Sequence, residues 1–303
     1  MNKGKVDWRG AYVAVVTPFT ADGEIDEAAF RKNIEFLLEE GADGIVVSGC
    51  TGEAWALDPD ERVRLFKLAV NVVGKKVPVI AGTGGVSTRG VIELSRRAKE
   101  LGTAGVMILP PYYCMAGRRE VIAHYQAISD AVRHPILLYN IPRRVGFNLT
   151  PEVLHELAEV DWVVAIKESS GDFIQVEATI LEVGCRITVF TGHSAERAVP
   201  ALVMGAEGFV SSMESQVMGR EALEMYALVR RGDLARASAV QLRTLDLDES
   251  MRKAGTFPAN LKAAMNLLGR TGGYPRPPIL PLTPAQLDEV RGILDRLRIR
   301  AAA

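Results

Sequence analysis

Eight short apolar runs, each separated from the next by an amphipathic segment, constrain the fold of this chain more than any other feature. They fall at residues 11–17, 44–48, 77–81, 105–109, 136–139, 163–167, 188–191 and 208–211. None alternates polar and apolar residues cleanly, which is the pattern of strands buried on both faces of a parallel sheet. The intervening segments, 26–40, 58–73, 88–101, 119–132, 150–159, 172–183, 194–204 and 220–230, carry helical periodicity. Asp58-Pro59-Asp60-Glu61 reads as a capping residue, a proline in the first turn and the glutamate of a capping box, and Thr150-Pro151-Glu152 opens a helix the same way. Gly41, Gly74 and Gly102 follow three of the helices, where a left-handed residue is wanted. Eight strand–helix units with no break in composition predict an α/β fold, a (β/α)8 TIM barrel over residues 1–231. A doubly wound open sheet is the competing architecture, although eight units are many for it. After Arg230 the pattern is purely helical (233–253, 260–268, 283–297), so residues 232–303 read as a C-terminal helical subdomain packed on the barrel.

Charge and cysteine content narrow the function. With 36 Lys+Arg against 37 Asp+Glu in 303 residues, the chain has no overall field to draw it to nucleic acid or anionic membrane. No apolar run approaches the roughly 18 residues of a membrane span, and the charged start does not resemble a signal peptide. Cys50, Cys114 and Cys185 are too few and too far apart for a disulfide framework or a metal knuckle. The four histidines lack metal-ligand spacing. The expected setting is cytoplasmic, with neither nucleic acid nor membrane as partner.

In a parallel barrel, chemistry sits at the C-terminal ends of the strands. Of ten lysines, Lys167 alone ends an apolar strand. Apolar surroundings lower a lysine's pKa and free its amine to form Schiff bases with ketones and aldehydes, whereas a structural lysine here would pair with Glu168 or another rim acid. Tyr139 closes the preceding strand, where its phenol can relay protons beside that amine or simply bond to backbone. The turn Gly49-Cys50-Thr51-Gly52 can bring backbone N–H groups and a hydroxyl to a carboxylate, or serve only as a tight turn. Arg143 and Arg144 follow Tyr139 and can grip a carboxylate or lie solvated in a loop. Gly82-Thr83-Gly84-Gly85 lacks the third spaced glycine of a dinucleotide motif, which leaves a nicotinamide oxidoreductase a weak alternative.

In chain order, VTPF, GCTGE, AGTGG, PPYY, YNIPRRVG, AIKESSG, TGHSAE and RPPILPLT resemble the motifs of the dihydrodipicolinate synthase / N-acetylneuraminate lyase family of Schiff-base aldolases. The resemblance implies that Lys167 condenses with pyruvate, that Tyr139 relays protons and that Thr51 with its turn holds the pyruvate carboxylate. It implies further that Gly192 and Val210 line the keto-acid pocket and that Tyr113 reaches into a neighbouring subunit's site. The expected assembly is a homotetramer, a dimer of dimers, with no metal or organic cofactor. Arg144 stands where the synthases carry an arginine for the carboxylate of the aldehyde partner, which favours the synthase branch, with pyruvate and aspartate semialdehyde as substrates. Cys50 departs from the family's usual Thr or Ser and weakens the relay, since a thiol is a poor hydrogen-bond partner. The lysine feedback site of many synthases finds no match, its places being taken by Pro59, Arg62, Val86 and Gly90. A 2-keto-3-deoxy sugar-acid aldolase or dehydratase, an N-acetylneuraminate lyase-like enzyme, and a keto-acid-binding protein impaired at Cys50 are the alternatives.

Overall fold

The apolar runs become eight parallel strands that close on themselves. They are β1 (Gly10–Ala14), β2 (Gly44–Val47), β3 (Val79–Gly82), β4 (Gly105–Ile108), β5 (Ile136–Asn140), β6 (Val163–Glu168), β7 (Thr188–Thr191) and β8 (Gly208–Ser211), with β8 paired back to β1. The structure is a computed structural model and describes residues 6–300. Closure into a (β/α)8 barrel excludes the doubly wound open sheet. β1 ends three residues before Thr17, whose hydroxyl instead donates to the Gly52 carbonyl at 2.8 Å and ties the strand's continuation to the turn after β2.

Every strand residue except Thr188 is buried, which explains why the runs read as continuous rather than alternating. Ala11, Val13, Ile45 and Val47 face the surrounding helices, whereas Tyr12, Ala14, Val46, Ile80, Leu137 and Phe190 fill the barrel. Gly44, Gly105 and Gly208 each open a strand beside a large ring. A Cβ at Gly44 would lie 2.5 Å from the Tyr12 ring, and one at Gly105 2.5 Å from that of Trp8. The barrel floor is therefore filled with aromatic rings, and the open end lies at the other rim.

The capping box at Asp58 forms in both directions, with Glu61 N–H to Asp58 at 2.8 Å and Asp58 N–H to Glu61 at 3.0 Å. Gly41, Gly74 and Gly102 take positive φ as their positions demand. Thr150 departs from expectation: its hydroxyl donates to the Glu152 carboxylate at 2.6 Å, so the side chain does not cap the backbone. Two short helices, Pro142–Val145 and Met213–Met218, stand where no helix was read, and 220–230 divides into Arg220–Leu223 and Met225–Arg230. Pro142 at the first position and Gly146 at φ 77° bound the first of these.

The last helices, Leu234–Ala254, Ala259–Leu267 and Pro284–Arg296, build a second apolar cluster with Val16, Met213 and Val217. Leu234–Ala254 is fastened to the helix Ser194–Met204 by a side-chain splice. Pro200 lies inside that helix, and Gln241 accepts from Val199 N–H at 2.8 Å while donating to the Ser194 and Ala195 carbonyls at 3.0 and 2.6 Å. Thr244 adds a bond to Ala195 at 3.0 Å. These bonds satisfy groups released from the helical ladder, and they hold the later turns of Leu234–Ala254 over the barrel mouth.

Candidate active site

At the C-terminal rim a cleft of about 490 Å³ gathers side chains from five strand ends and from the C-terminal helices. Lys167 lies within it. On β6 one residue, Val164, is extra relative to β5, since Ile136 pairs with Val163 and Leu137 with Ala165. Such a bulge re-aims the residues that follow. Beyond it the register resumes, with Tyr139 opposite Lys167 and Asn140 opposite Glu168.

Because successive side chains of a strand point to opposite faces, Lys167 and Glu168 part company. Glu168 accepts from Asn140 at 2.7 Å, from the Ser170 N–H at 2.6 Å and from Gln175 at 3.3 Å, behind the barrel wall. The structural alternative, a Lys167–Glu168 pair, does not form. Lys167 is instead 8% exposed, with its Nζ 4.5 Å from the centre of the Tyr139 ring. Burial lowers its amine to about 8, opposed by Cys50 and Glu214. Uncharged amine is thus available near neutral pH.

Tyr139 is 4% exposed, and its hydroxyl donates to Cys50 Sγ at 3.8 Å. Burial foremost, then Cys50, raises the phenol well above its ordinary value, so it keeps its proton. Thr51, buried, and half-buried Cys50 lie on the turn after β2 and line the cleft with Arg143, Arg144 and Val210. Gly192 leaves room for the lysine: a Cβ there would stand 3.2 Å from Lys167 Cε and overlap the Ser169 hydroxyl. Gly82 and Gly84 have packing reasons of their own, against Ser48 and Leu109. Tyr113 is not brought to the cleft. It is 91% exposed on the loop after β4, at φ 70°.

Beside the cleft, and sharing Cys50, Tyr139 and Arg144 with it, lies a smaller cavity of about 250 Å³ lined by Trp55, Arg62 and Tyr112. The Arg62 guanidinium donates to the Gly82 and Gly84 carbonyls.

The cleft also holds residues to which the sequence assigns no chemical role. His193, whose imidazole burial lowers to about 4, and Glu214 come from the loops after β7 and β8, and Asp248 and Arg252 from Leu234–Ala254. Glu53 and Lys262 form a buried ion pair just behind the turn, at 0% and 1% exposure, and Glu53 also accepts from the Arg276 N–H at 3.0 Å. The place of Glu53 directly after GCTG was the one available signal. Among the described residues, no group of three or more His, Cys, Asp or Glu side chains is placed to hold a metal ion.

Comparison with known proteins gives a consistent result. The dihydrodipicolinate synthetase family matches residues 7–297. The 4-hydroxy-tetrahydrodipicolinate synthase of Syntrophotalea carbinolica is 37% identical over 94% of this chain and 96% of its own. That of Clostridium perfringens is 38% identical over 92% and 95%. The dihydrodipicolinate synthase of Acinetobacter baumannii, solved with pyruvate, superposes with a TM-score of 0.90 at 32% identity, covering 96% of this chain and 99% of that one.

Proposed function

Because the chain belongs to the dihydrodipicolinate synthetase family of lyases, we propose that it joins pyruvate to an aldehyde through an imine on Lys167, as a 4-hydroxy-tetrahydrodipicolinate synthase acting on aspartate semialdehyde. One observation carries the assignment of the nucleophile. Lys167 is a buried lysine at the barrel mouth whose neighbouring acid is turned away and whose amine is lowered to about 8.

In this reading the neutral amine attacks the keto carbon of pyruvate while Thr51 and the N–H groups of its turn hold the carboxylate. Tyr139 supplies the proton with which water leaves the carbinolamine, and Cys50 receives the tyrosine's hydrogen bond in place of a hydroxyl. Loss of a methyl proton from the iminium gives the enamine, whose carbon attacks the aldehyde. Gly192 and Val210 shape the keto-acid end, and Arg144 takes the carboxylate of the second substrate.

The assembly belongs to the same proposal: a homotetramer built as a dimer of dimers, in which Tyr113 serves the neighbouring site. The exposure of that tyrosine, with Met115 of the same loop 76% exposed, supports it. A cytoplasmic setting is likewise proposed, and no helix of the described residues is long and apolar enough to cross a membrane. Residues 232–303 act as a subdomain that roofs the mouth, a role supported by the Gln241 splice.

Borohydride reduction in the presence of pyruvate, followed by mass spectrometry, tests the chemistry. One pyruvate adduct per chain, mapped to Lys167 and lost in Lys167→Ala, is expected. An unmodified protein, or an adduct that survives the substitution, would refute it.

A further inference from the structure

We infer that Glu214 is a specificity-determining residue that holds a hydrogen-bond donor, an ammonium or a hydroxyl group, on the carbon chain of the aldehyde partner. The inference rests on the reading of the cleft as a pyruvate–aldehyde site and names what the second substrate must carry.

Glu214 follows β8 and stands at the start of the helix Met213–Met218, in the wall of the cleft that contains Lys167. It is 2% exposed. A buried carboxylate is costly unless it is paired or well hydrogen-bonded. The Ser194 hydroxyl donates to Oε1 and the Ser212 N–H to Oε2 at a long 3.4 Å. Among the described residues no cation stands within 4 Å of it.

The nearby arginines are engaged elsewhere. Arg252 holds Glu196 and, at 2.5 Å, Asp248, while Arg197 lies 3.3 Å from Glu196. Three carboxylates therefore share this side of the mouth, and the one without a cation partner is also the most deeply buried. Asp248 registers the excess, its carboxyl being pushed up to about 6 by burial, with Glu214 and Glu196 adding to the shift.

An ionised carboxylate accepts about four hydrogen bonds, and Glu214 receives two. The remaining capacity suits a donor presented from inside the cleft. On the β5 side, Arg143 and Arg144 offer the opposite chemistry. An aldehyde with a carboxylate for the arginines and a donor for Glu214 is held at two points, and its reacting carbon is thereby oriented toward the enamine.

Matched aldehyde pairs test this in the wild-type protein and in Glu214→Gln. Aspartate semialdehyde against succinate semialdehyde differs by one ammonium, and glyceraldehyde against propanal differs in hydroxyls. The wild type should prefer the donor-bearing member of at least one pair, which also identifies the donor. Glu214→Gln should reduce that preference roughly 10- to 150-fold, the effect of losing one charge-assisted hydrogen bond. Ser194→Ala, which only loosens the carboxylate, should reduce it less and in the same direction. No preference in either pair, no turnover of any of the four aldehydes, or a preference untouched by both substitutions would overturn the inference. Borohydride trapping of pyruvate, run on the same samples, reports separately on the imine at Lys167, so its failure would indict the underlying reading instead.

Discussion

Lys167 and Lys262 are both buried, and burial lowers both amines to about 8, yet only one is free to react. Lys262 is bound to Glu53 and donates to the Tyr274 carbonyl at 2.7 Å, whereas Lys167 faces a phenol ring and an open cleft. Below pH 8 the folded and unfolded states both carry the Lys167 proton, and the folded state bears the full cost of the buried charge. Between about 8 and the ordinary 10.5 the folded state has shed that proton while the unfolded state has not, so stability rises with pH through this window. Lys167→Met should therefore be more stable than the wild type by about 3 kcal/mol at pH 7. Its advantage should shrink toward pH 10.5, as urea melts at a series of pH values will show. In the wild type, the rate of pyruvate trapping should climb about ten-fold per pH unit below 8 and level off above it, and a flat profile would count against a titrating amine. At Cys50, a hydroxyl would receive the Tyr139 proton more strongly than the thiol does at 3.8 Å. Cys50→Thr should raise kcat by about two- to ten-fold, the scale of one neutral hydrogen bond, as steady-state kinetics can measure.

At the scale of elements, the turn after β2 depends on a helix more than two hundred residues away. Breaking a buried ion pair by removing one partner leaves an uncompensated charge. Lys262→Met should cost about 3–5 kcal/mol, and Glu53→Gln in the same background should recover much of it. A double-mutant cycle in urea measures both. This coupling also marks where sequence reading stops. The barrel was legible because strands buried on both faces must be apolar along their length, and Lys167 stood out because it ends such a strand. Glu214 and Asp248 were not legible. An acid at a helix start, or on a polar helix face, looks the same in sequence whether it faces solvent or a cleft, and only the packing of Leu234–Ala254 onto Ser194–Met204 decides which. Thr150 shows the reverse, a cap signal diverted because a neighbouring carboxylate competed for the hydroxyl.

For the whole molecule, the exposure of Tyr113 has a direct test. If this tyrosine serves the neighbouring site, Lys167→Ala and Tyr113→Phe damage different halves of each shared site. Co-expressed, the two variants should form mixed oligomers in which one chain's Lys167 meets the other chain's Tyr113. Such preparations should turn over faster than either variant alone. Strictly additive activity would mean that each chain works by itself.

The bond from Lys262 to Glu53 also has a consequence for the timing of synthesis. Chains leave the ribosome N-terminus first and fold as they emerge, and all eight strands have been made by Ser211. Until Lys262 and the backbone of Arg276 follow, Glu53 has neither its cation nor its N–H donor, and the turn that carries Thr51 keeps only earlier bonds such as that of Thr17 to the Gly52 carbonyl. A nascent barrel can thus be closed while Glu53 is still without its cation. Closure of the eight strands and bracing of the Thr51 turn are therefore separate events, the second waiting on Lys262.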